Sequence, residues 1–153
     1  MNLLKSKKII ILLVLSAVVL AGLLFVFRPR PVTGVLSITP AKTVRAGIVA
    51  STTTNADILT YAPKDQSDID DLTALLSGVS VRRAFRPGDN TAIAYSGGET
   101  LYHISLDDGD ASISFNTVEG YVYFGSNRYK VDEKDKEVLA DGLNNICAEW
   151  KQY

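Results

Sequence analysis

The sequence predicts an α+β domain that follows an N-terminal transmembrane helix. The run Ile9–Phe27 has nineteen residues without a charge, two later stretches repeat apolar residues at helical spacing, and strand-like segments with turn residues lie around them. The order of these elements favours an antiparallel meander with two helices packed on it. We expect residues 1–31 to form a leader, an anchor and a Pro-rich turn, and residues 32–153 to form one extracytoplasmic α+β domain.

The run Ile9–Phe27 matches the thickness of a lipid bilayer. As a helix it spans about 28 Å, close to the roughly 30 Å hydrocarbon core. Three lysines precede the run, and only Arg28 and Arg30 follow it closely, between Pro29 and Pro31. This bias favours a cytoplasmic N-terminus and a translocated C-terminal domain. The sequence therefore predicts a single-pass protein of the cell membrane whose helix contacts the lipid bilayer.

A cleavable secretory signal is the alternative interpretation of the same segment. The basic leader precedes the apolar run, and Val19-Leu20-Ala21 carries residues small enough for a signal peptidase. However, Leu23–Phe27 continues the apolar run, so cleavage there would leave an apolar mature terminus. We expect the helix to be retained, with a secreted domain as the alternative.

Composition restricts the partners of the outer domain. From Val32 onward the chain carries 11 Lys and Arg against 17 Asp and Glu, a net charge of −6. Such a charge argues against nucleic acid and against tight adhesion to an anionic lipid surface. The sequence has no nucleotide-binding or cofactor signature, and its single cysteine cannot form an internal disulfide. A domain without disulfides is ordinary outside the membrane of Gram-positive bacteria.

The first half of the domain is predicted to contain strands and one helix. Thr43–Ser51 and Ala56–Ala62 are rich in β-branched residues and flank a polar turn, and a short strand is expected at Val35–Thr39. Ser67 and Asp70 have the spacing of a capping box.

An apolar stripe follows this capping box at helical spacing. It consists of Ile69, Leu72, Leu75 and Leu76. Because Gly78 lies where a helix C-cap is expected, the helix is predicted at Ser67–Ser77.

The second half is predicted to be a series of strands and hairpins. Val79, Val81 and Phe85 alternate with polar residues, as in a strand with one buried face. The strands predicted after them are Thr91–Ser96, Thr100–Leu106, Ala111–Asn116, Glu119–Phe124 and Arg128–Val131. Gly97-Gly98 and Asp107–Asp110 have the composition of hairpin connectors.

A final helix is predicted to begin after Asp132. Its apolar stripe consists of Leu139, Leu143, Ile146 and Trp150. Val138 and Cys147 widen the stripe, so we expect Cys147 to be a small buried hydrophobe and not a nucleophile.

Two motifs carry a resemblance to known proteins. Asp-Ile-Asp-Asp-Leu-Thr-Ala-Leu-Leu-Ser-Gly forms the first predicted helix, and Val-Tyr-Phe-Gly-Ser-Asn-Arg-Tyr-Lys-Val forms the last hairpin. With the preceding strand, the pattern over residues 56–150 resembles small secreted or membrane-anchored domains of unknown function from Gram-positive, clostridia-type bacteria. The resemblance implies a compartment and a fold class, and it assigns no activity to any residue here.

Basic side chains are the first candidates for partner binding. Arg82, Arg83 and Arg86 form the densest positive cluster of an acidic domain. Together with Arg128 and Lys130 they could bind a phosphate, a carboxylate or an anionic wall polymer. A solvated strand face, partly neutralised by neighbouring acids, is the alternative.

The aromatic rings of the last hairpin are the second candidates. Tyr121 and Tyr123 point to one side of their strand, and Val122 and Phe124 point to the other. An open tyrosine side could stack on a sugar or a partner protein. We favour packing of these rings beneath the last helix, around Trp150.

Catalytic and metal sites have little support in the sequence. His103 could combine with Ser105 or Ser96 and with Glu99, but no nucleophile motif is present, and a solvent-facing histidine is expected. The carboxylates of Asp107–Asp110 could bind Ca²⁺, although a hairpin turn explains the same residues. We expect neither a metal nor a cofactor.

The leading hypothesis is a non-enzymatic, membrane-anchored domain that binds a protein or cell-envelope partner. One alternative is a cell-envelope hydrolase that uses His103 and nearby carboxylates. Another is a structural subunit of a membrane assembly, with helix contacts at Ala17 and Ala21. A pocket with a convergent histidine, serine and carboxylate would favour the enzyme, and an exposed aromatic or arginine patch would favour the binding domain.

Overall fold

The computed structural model of the chain describes residues 2–52, 57–84, 100–107 and 111–153. Three stretches with sequence predictions lie outside the described residues. They are the polar turn after Thr52, the segment from Phe85 to Glu99 with Arg86 and the strand Thr91–Ser96, and the connector residues Asp108–Asp110.

The described residues form four α-helices, one 3₁₀ turn and nine strands. The helices are α1 (Asn2–Val26), α2 (Val32–Leu36), α3 (Gln66–Gly78) and α4 (Glu133–Glu149), and the 3₁₀ turn is Pro40–Lys42. The strands are β1 (Arg30–Pro31), β2 (Ala46–Thr52), β3 (Ile58–Ala62), β4 (Ser80–Arg83), β5 (Thr100–Leu106), β6 (Ala111–Asn116), β7 (Tyr121–Phe124), β8 (Asn127–Val131) and β9 (Lys151–Gln152).

The strands form one antiparallel sheet in the order β1-β4-β8-β7-β6-β5-β2-β3-β9. Strands β5 to β8 are neighbours in chain order, which confirms the predicted meander and the α+β class. The sheet is wider than predicted, because a two-residue strand forms each of its edges. β1 pairs with β4, and β9 pairs with β3.

Helix α1 contains a long apolar stretch that is exposed. Its stretch Ile9–Val26 is 18 residues long and, by length and composition, apolar enough to cross a membrane, and none of it is buried. The helix ends near Phe27 as expected, because Pro29 and Pro31 cannot continue a helix and disfavour helical conformation in the residues before them.

Helix α2 replaces the short strand that was predicted at Val35–Thr39. Pro31 is extended, with φ −61° and ψ 152°, and Ser37 ends the helix in the left-handed region at φ 56°. Val32 and Leu36 are both buried, at the spacing of one helical turn. Burial of this face against the core outweighs the β-branched composition, so the strand prediction was wrong.

Helix α3 begins one residue earlier than predicted, and a different residue caps it. The Asp65 carboxylate accepts hydrogen bonds from the backbone N–H groups of Ser67 at 2.9 Å and Asp68 at 3.4 Å. The Asp68 carboxylate accepts in turn from the Lys64 N–H at 2.6 Å. The predicted capping box at Ser67 and Asp70 was therefore wrong by two positions.

Helix α4 buries the predicted stripe against the sheet. Leu139, Leu143, Ile146 and Cys147 are buried, and Trp150, directly after the helix, is only 5% exposed. Val138 is exposed, contrary to prediction, because adjacent helical residues point about 100° apart and the buried face is centred on Leu139 and Leu143.

The hydrophobic core lies between one face of the sheet and the helices α2, α3 and α4. Its largest fully buried side chains are Phe115, Ile48, Leu72, Leu76, Ile104, Leu106, Ile113, Leu139, Leu143, Val32 and Val79. The sheet members among them alternate along their strands. The residues between them define a second face, which carries the candidate site.

Candidate functional site

The second face of the sheet, called the open face below, presents two rows of side chains in register. One row runs across Val49, His103, Ser114, Tyr123 and Arg128. The other runs across Ser51, Leu101, Asn116, Tyr121, Lys130 and Arg82. All of these side chains except Asn116 are exposed or half-buried. The register therefore brings basic and aromatic side chains from separate hairpins onto one accessible surface.

Tyr121 and Tyr123 lie on the open face and not beneath the last helix. Val122, between them, is fully buried on the core side, and its cross-strand neighbour on β8 is Tyr129, which packs against the core. The expectation that Tyr121 and Tyr123 pack around Trp150 was wrong. Alternation along β7 allows only one set of side chains to face the helices, and Val122 and Phe124 occupy that side.

The hairpin turn sets the register of these residues. Phe124 pairs with Asn127, so the loop has two residues, and Gly125 adopts a positive φ of 55°. The predicted strands ended at Phe124 and resumed at Arg128, and so left Asn127 in the turn. Positive φ at the first loop position is typical of tight hairpins and costs glycine little. The two-residue loop brings Tyr121 opposite Lys130 and Tyr123 opposite Arg128.

Arg128 stacks on Tyr121. The central carbon of its guanidinium lies 4.4 Å from the centroid of the Tyr121 ring. The Arg128 Nε atom is buried and has no hydrogen-bond partner among the described residues. Stacking of this kind fixes the plane of a guanidinium, and a side-chain hydrogen bond to Tyr123 also holds Arg128 in place.

Tyr123 is held as a neutral hydrogen-bond donor. Its hydroxyl donates to Glu119 Oε2 at 2.9 Å, and its ring lies 6.4 Å from that of Tyr121. Burial, followed by the hydrogen bond and the charge of Glu119, raises the pKa of Tyr123 to about 12, and the charge and hydrogen bond of Arg128 partly oppose this shift. The ring is therefore uncharged at any physiological pH.

A shallow depression of about 600 Å³ lies at this end of the open face. Its lining residues are Arg82, Arg83, Ala84, Tyr121, Arg128, Lys130, Val131, Asp132 and Glu133. We call it the basic depression, because its four basic side chains outnumber its two carboxylates in a domain that is acidic as a whole.

Two of these basic side chains are paired at the surface. Arg82 Nε lies 3.1 Å from Asp132 Oδ1, and Lys130 Nζ lies 2.9 Å from Glu133 Oε1. The Arg82 and Lys130 side chains remain 58% and 53% exposed. The Lys130 hydrogen bond and charge lower the pKa of Glu133 and are matched by a raised pKa of Lys130. The Glu133 side chain is also largely exposed, whereas that of Asp132 is only 22% exposed. Exposed ion pairs contribute little to stability, so a ligand can replace Glu133 beside Lys130 at small cost.

The predicted arginine cluster is divided between the two faces. Arg82 lies on the open face, in register with Lys130. The next residue, Arg83, alternates to the other side of the strand and donates to Asn127 Oδ1 at 2.8 Å, although it also lines the basic depression at the edge of the sheet. Arg86 lies outside the described residues. Sequence reasoning missed the contact of Arg128 with Tyr121, which the hairpin register could have indicated.

His103 lies on the open face without a catalytic environment. Its Nδ1 is 3.1 Å from Ser114 Oγ on the neighbouring strand, and it is exposed. Ser105, the partner considered from sequence, instead donates to the Gly47 carbonyl, while Ser96 and Glu99 lie outside the described residues. Within the described part of the chain, no carboxylate is hydrogen-bonded to His103, so nothing orients its ring as a general base.

The remaining candidates have structural roles. Burial raises the pKa of the Cys147 thiol to about 11, which disfavours the nucleophilic thiolate. Asp107 accepts a hydrogen bond from the Val44 N–H at 3.1 Å and so ties the end of β5 to the segment before β2. Among the residues that the structure describes, no group of three or more His, Cys, Asp or Glu could hold a metal ion.

Comparison with known proteins adds no evidence about function, so the functional interpretation rests on the geometry of the site. No protein family, no curated protein and no solved structure matches the chain.

Proposed function

We propose that this chain is a membrane-anchored, non-enzymatic domain outside the cytoplasm, and that its basic depression binds an anionic polymer of the cell envelope. The stacking of Arg128 on Tyr121 carries the proposal. This contact holds a guanidinium in place before any ligand arrives, and a preorganised donor loses less entropy on binding.

The chemistry of the depression favours phosphate groups. Arg82 and Lys130 come from adjacent strands, which lie about 4.8 Å apart, and Arg128 lies on the same strand as Lys130. Guanidinium groups donate two parallel hydrogen bonds to phosphate, and such charge-assisted bonds are about twice as strong as neutral ones. Since the rest of the domain is acidic, an anionic polymer is attracted here and repelled elsewhere.

Binding can be tested with the full chain in nanodiscs of phosphatidylcholine. The probe is a glycerol phosphate oligomer, with an uncharged glycan oligomer as the ligand control. We expect Arg82→Gln to weaken binding about tenfold, the loss of one hydrogen bond to a charged group. Arg128→Lys keeps the charge but loses the planar stack, so it should also weaken binding.

Lys64→Gln is the matched control, because it removes the same charge at an exposed position just after β3. β3 is five strand spacings from β8, about 24 Å across the sheet. Equal affinities of the wild type, the Arg82 variant and the Lys64 variant would contradict the proposal.

Membrane anchoring requires its own test. The exposed apolar stretch of α1 supports it, since the residues that the structure describes bury no part of Ile9–Val26. We expect the protein in the membrane fraction to be one intact chain that contains both Met1–Lys8 and Tyr153. Intact-mass spectrometry of that fraction measures this. A mature N-terminus at Gly22 would indicate a secreted domain instead.

A hydrolase is the second candidate, because His103 lies within hydrogen-bonding distance of Ser114. If His103 were a general base, His103→Ala should reduce hydrolysis of peptidoglycan, ester or peptide substrates by about 10²–10⁴-fold with little change in stability. We expect His103→Ala to leave both the fold and polymer binding unchanged.

A further inference from the structure

Two depressions separate the end of α1 from the sheet. The larger, of about 330 Å³, has among its lining residues Leu23, Val26, Phe27, Arg83, Asn127 and Arg128. The smaller, of about 110 Å³, has among its lining residues Phe25, Val26, Arg28, Arg30, Arg83 and Tyr129. Each depression therefore has an apolar wall from α1 and a guanidinium wall from the domain and the turn.

The guanidinium groups at these depressions differ from those of the open face. Arg82 and Lys130 are paired with carboxylates, whereas Arg83 and the two arginines after α1 form no ion pair among the described residues. Arg28 and Arg30 lie over the ring of Phe25, at 4.5 and 5.6 Å from its centroid.

The nitrogen atoms of these side chains keep unused hydrogen-bonding capacity. The Nε atom of Arg30 is buried and has no partner in the described part of the chain, while its Nη2 donates a long bond of 3.5 Å to the Phe25 carbonyl. The side chain of Arg83 has one described hydrogen bond, from Nη2 to Asn127 Oδ1. An anion that enters between Arg83 and the arginines after α1 would find donors, and no Asp or Glu of the described residues lines either depression.

The depth of these groups follows from the helix. Leu23 precedes Val26 by three residues, about 4.5 Å along the axis. Arg83 lines the same depression as Leu23, Val26 and Phe27, so if α1 crosses a bilayer up to Val26, as proposed above, Arg83 lies near the boundary between the acyl chains and the headgroups. An apolar wall beside a guanidinium wall matches a phospholipid, which carries its phosphate directly above its acyl chains.

We propose that this corner of the domain, formed by Arg28, Arg30 and Arg83, binds the phosphate groups of anionic phospholipids in the leaflet next to the end of α1. The inference rests on the proposed anchoring of α1. It also revises the expectation that the acidic domain avoids an anionic lipid surface. The net charge of −6 keeps the remainder of the domain away, so the corner alone contacts the lipid and sets the orientation of the domain.

Arg82 and Arg83 provide a matched pair for the test. They are consecutive in β4, carry the same charge and point to opposite faces of the sheet. The full chain is reconstituted in vesicles of equal parts phosphatidylcholine and phosphatidylglycerol. Electron paramagnetic resonance of spin-labelled lipids then measures how strongly the protein selects phosphatidylglycerol over phosphatidylcholine.

We expect the wild type to select phosphatidylglycerol, and Arg83→Gln to reduce the selectivity about fivefold, the effect of one basic residue at an anionic surface. Arg82→Gln should leave the selectivity unchanged. Arg83→Lys should retain most of it, and circular dichroism of all three variants should match the wild type. Equal selectivity of the wild type and Arg83→Gln, or an equal loss in Arg82→Gln, would overturn the proposal.

The two assays can fail separately. The polymer assay uses phosphatidylcholine alone and follows Arg82, which lines neither depression at the end of α1. The lipid assay contains no polymer and follows Arg83, which also lines the basic depression. The lipid assay uses the full chain reconstituted in vesicles. It therefore measures binding at the lipid site even if a signal peptidase removes α1 in the cell.

Discussion

Gly142 of α4 lies directly against the side chain of Leu75 of α3. A Cβ atom on Gly142 would be 2.6 Å from Leu75 Cδ1 and 2.7 Å from Cδ2, closer than any ordinary contact. With Leu75 in this position, the two helices can approach this closely only because residue 142 lacks a side chain. A glycine inside a helix costs about 1 kcal/mol relative to alanine, and the close helix packing offsets that cost.

Gly142→Ala is therefore expected to destabilise the domain, although alanine is the better helix former. Overpacking costs about 1–3 kcal/mol and the gain in propensity is about 1 kcal/mol, so the net loss is up to about 2 kcal/mol. Urea unfolding measures this. In a Leu75→Ala background the same substitution should stabilise the domain, because the clash is gone. Stabilisation in the wild-type background would show that Leu75 moves aside freely.

The domain should fold without α1, provided that β1 is kept. Arg30 and Pro31 pair with β4, and the Val32 N–H donates to the Val79 carbonyl at 3.1 Å. Residues 28–153 should be soluble and unfold cooperatively on heating. Residues 33–153 lack the fully buried Val32, so they should be less stable by at least about 2 kcal/mol. Equal stability of the two fragments would mean that β1 and Val32 contribute nothing.

Asp65 should make the stability of the domain depend on pH through α3. Hydrogen bonds from the Ser67 hydroxyl and from two backbone N–H groups lower the pKa of Asp65. A lowered pKa means that the charged cap stabilises the fold above the unfolded pKa of about 3.9, and that this contribution is lost as the pH falls through the folded pKa.

The substitution Asp65→Asn separates capping from charge, because an asparagine side chain would accept the same backbone hydrogen bonds without titrating. Thermal melts should show Asp65→Ala several degrees below the wild type at neutral pH and Asp65→Asn close to it. Below about pH 4 the wild type should lose stability relative to Asp65→Asn. A difference in stability between the wild type and Asp65→Asn that does not change with pH would contradict the role of the carboxylate.

Trp150 lies directly after the last residue of α4, and we expect it to contribute to the stability of the core as strongly as the buried residues within the helix. Its side chain is buried at the end of α4, and its backbone N–H donates to the Ile146 carbonyl at 2.9 Å. Trp150→Ala should cost about 3–5 kcal/mol of the free energy of unfolding. Val138→Ala is the control on the same helix, because Val138 is exposed and should cost little. A loss below about 1 kcal/mol for Trp150→Ala would place the ring at the surface.

The sequence by itself determined the elements whose pattern is local. The strands β5 and β6, the apolar stripe of α4 and the uncharged run of α1 could be predicted because periods of 2.0 and 3.6 residues are properties of contiguous residues. Alternation likewise separated Tyr121 and Tyr123 from Val122. It could not say which set meets the helices, because that depends on which face of the complete sheet is buried.

Only the tertiary structure decided the rest of the candidate site. Arg82 and Tyr121 come together because β8 pairs with both β4 and β7, an order of strands that neither segment encodes alone. The short segment Val32–Leu36 became a helix because its apolar side chains reach the core at that spacing. In each case the deciding free energy comes from burial and pairing between residues far apart in the chain, which no local window of sequence contains.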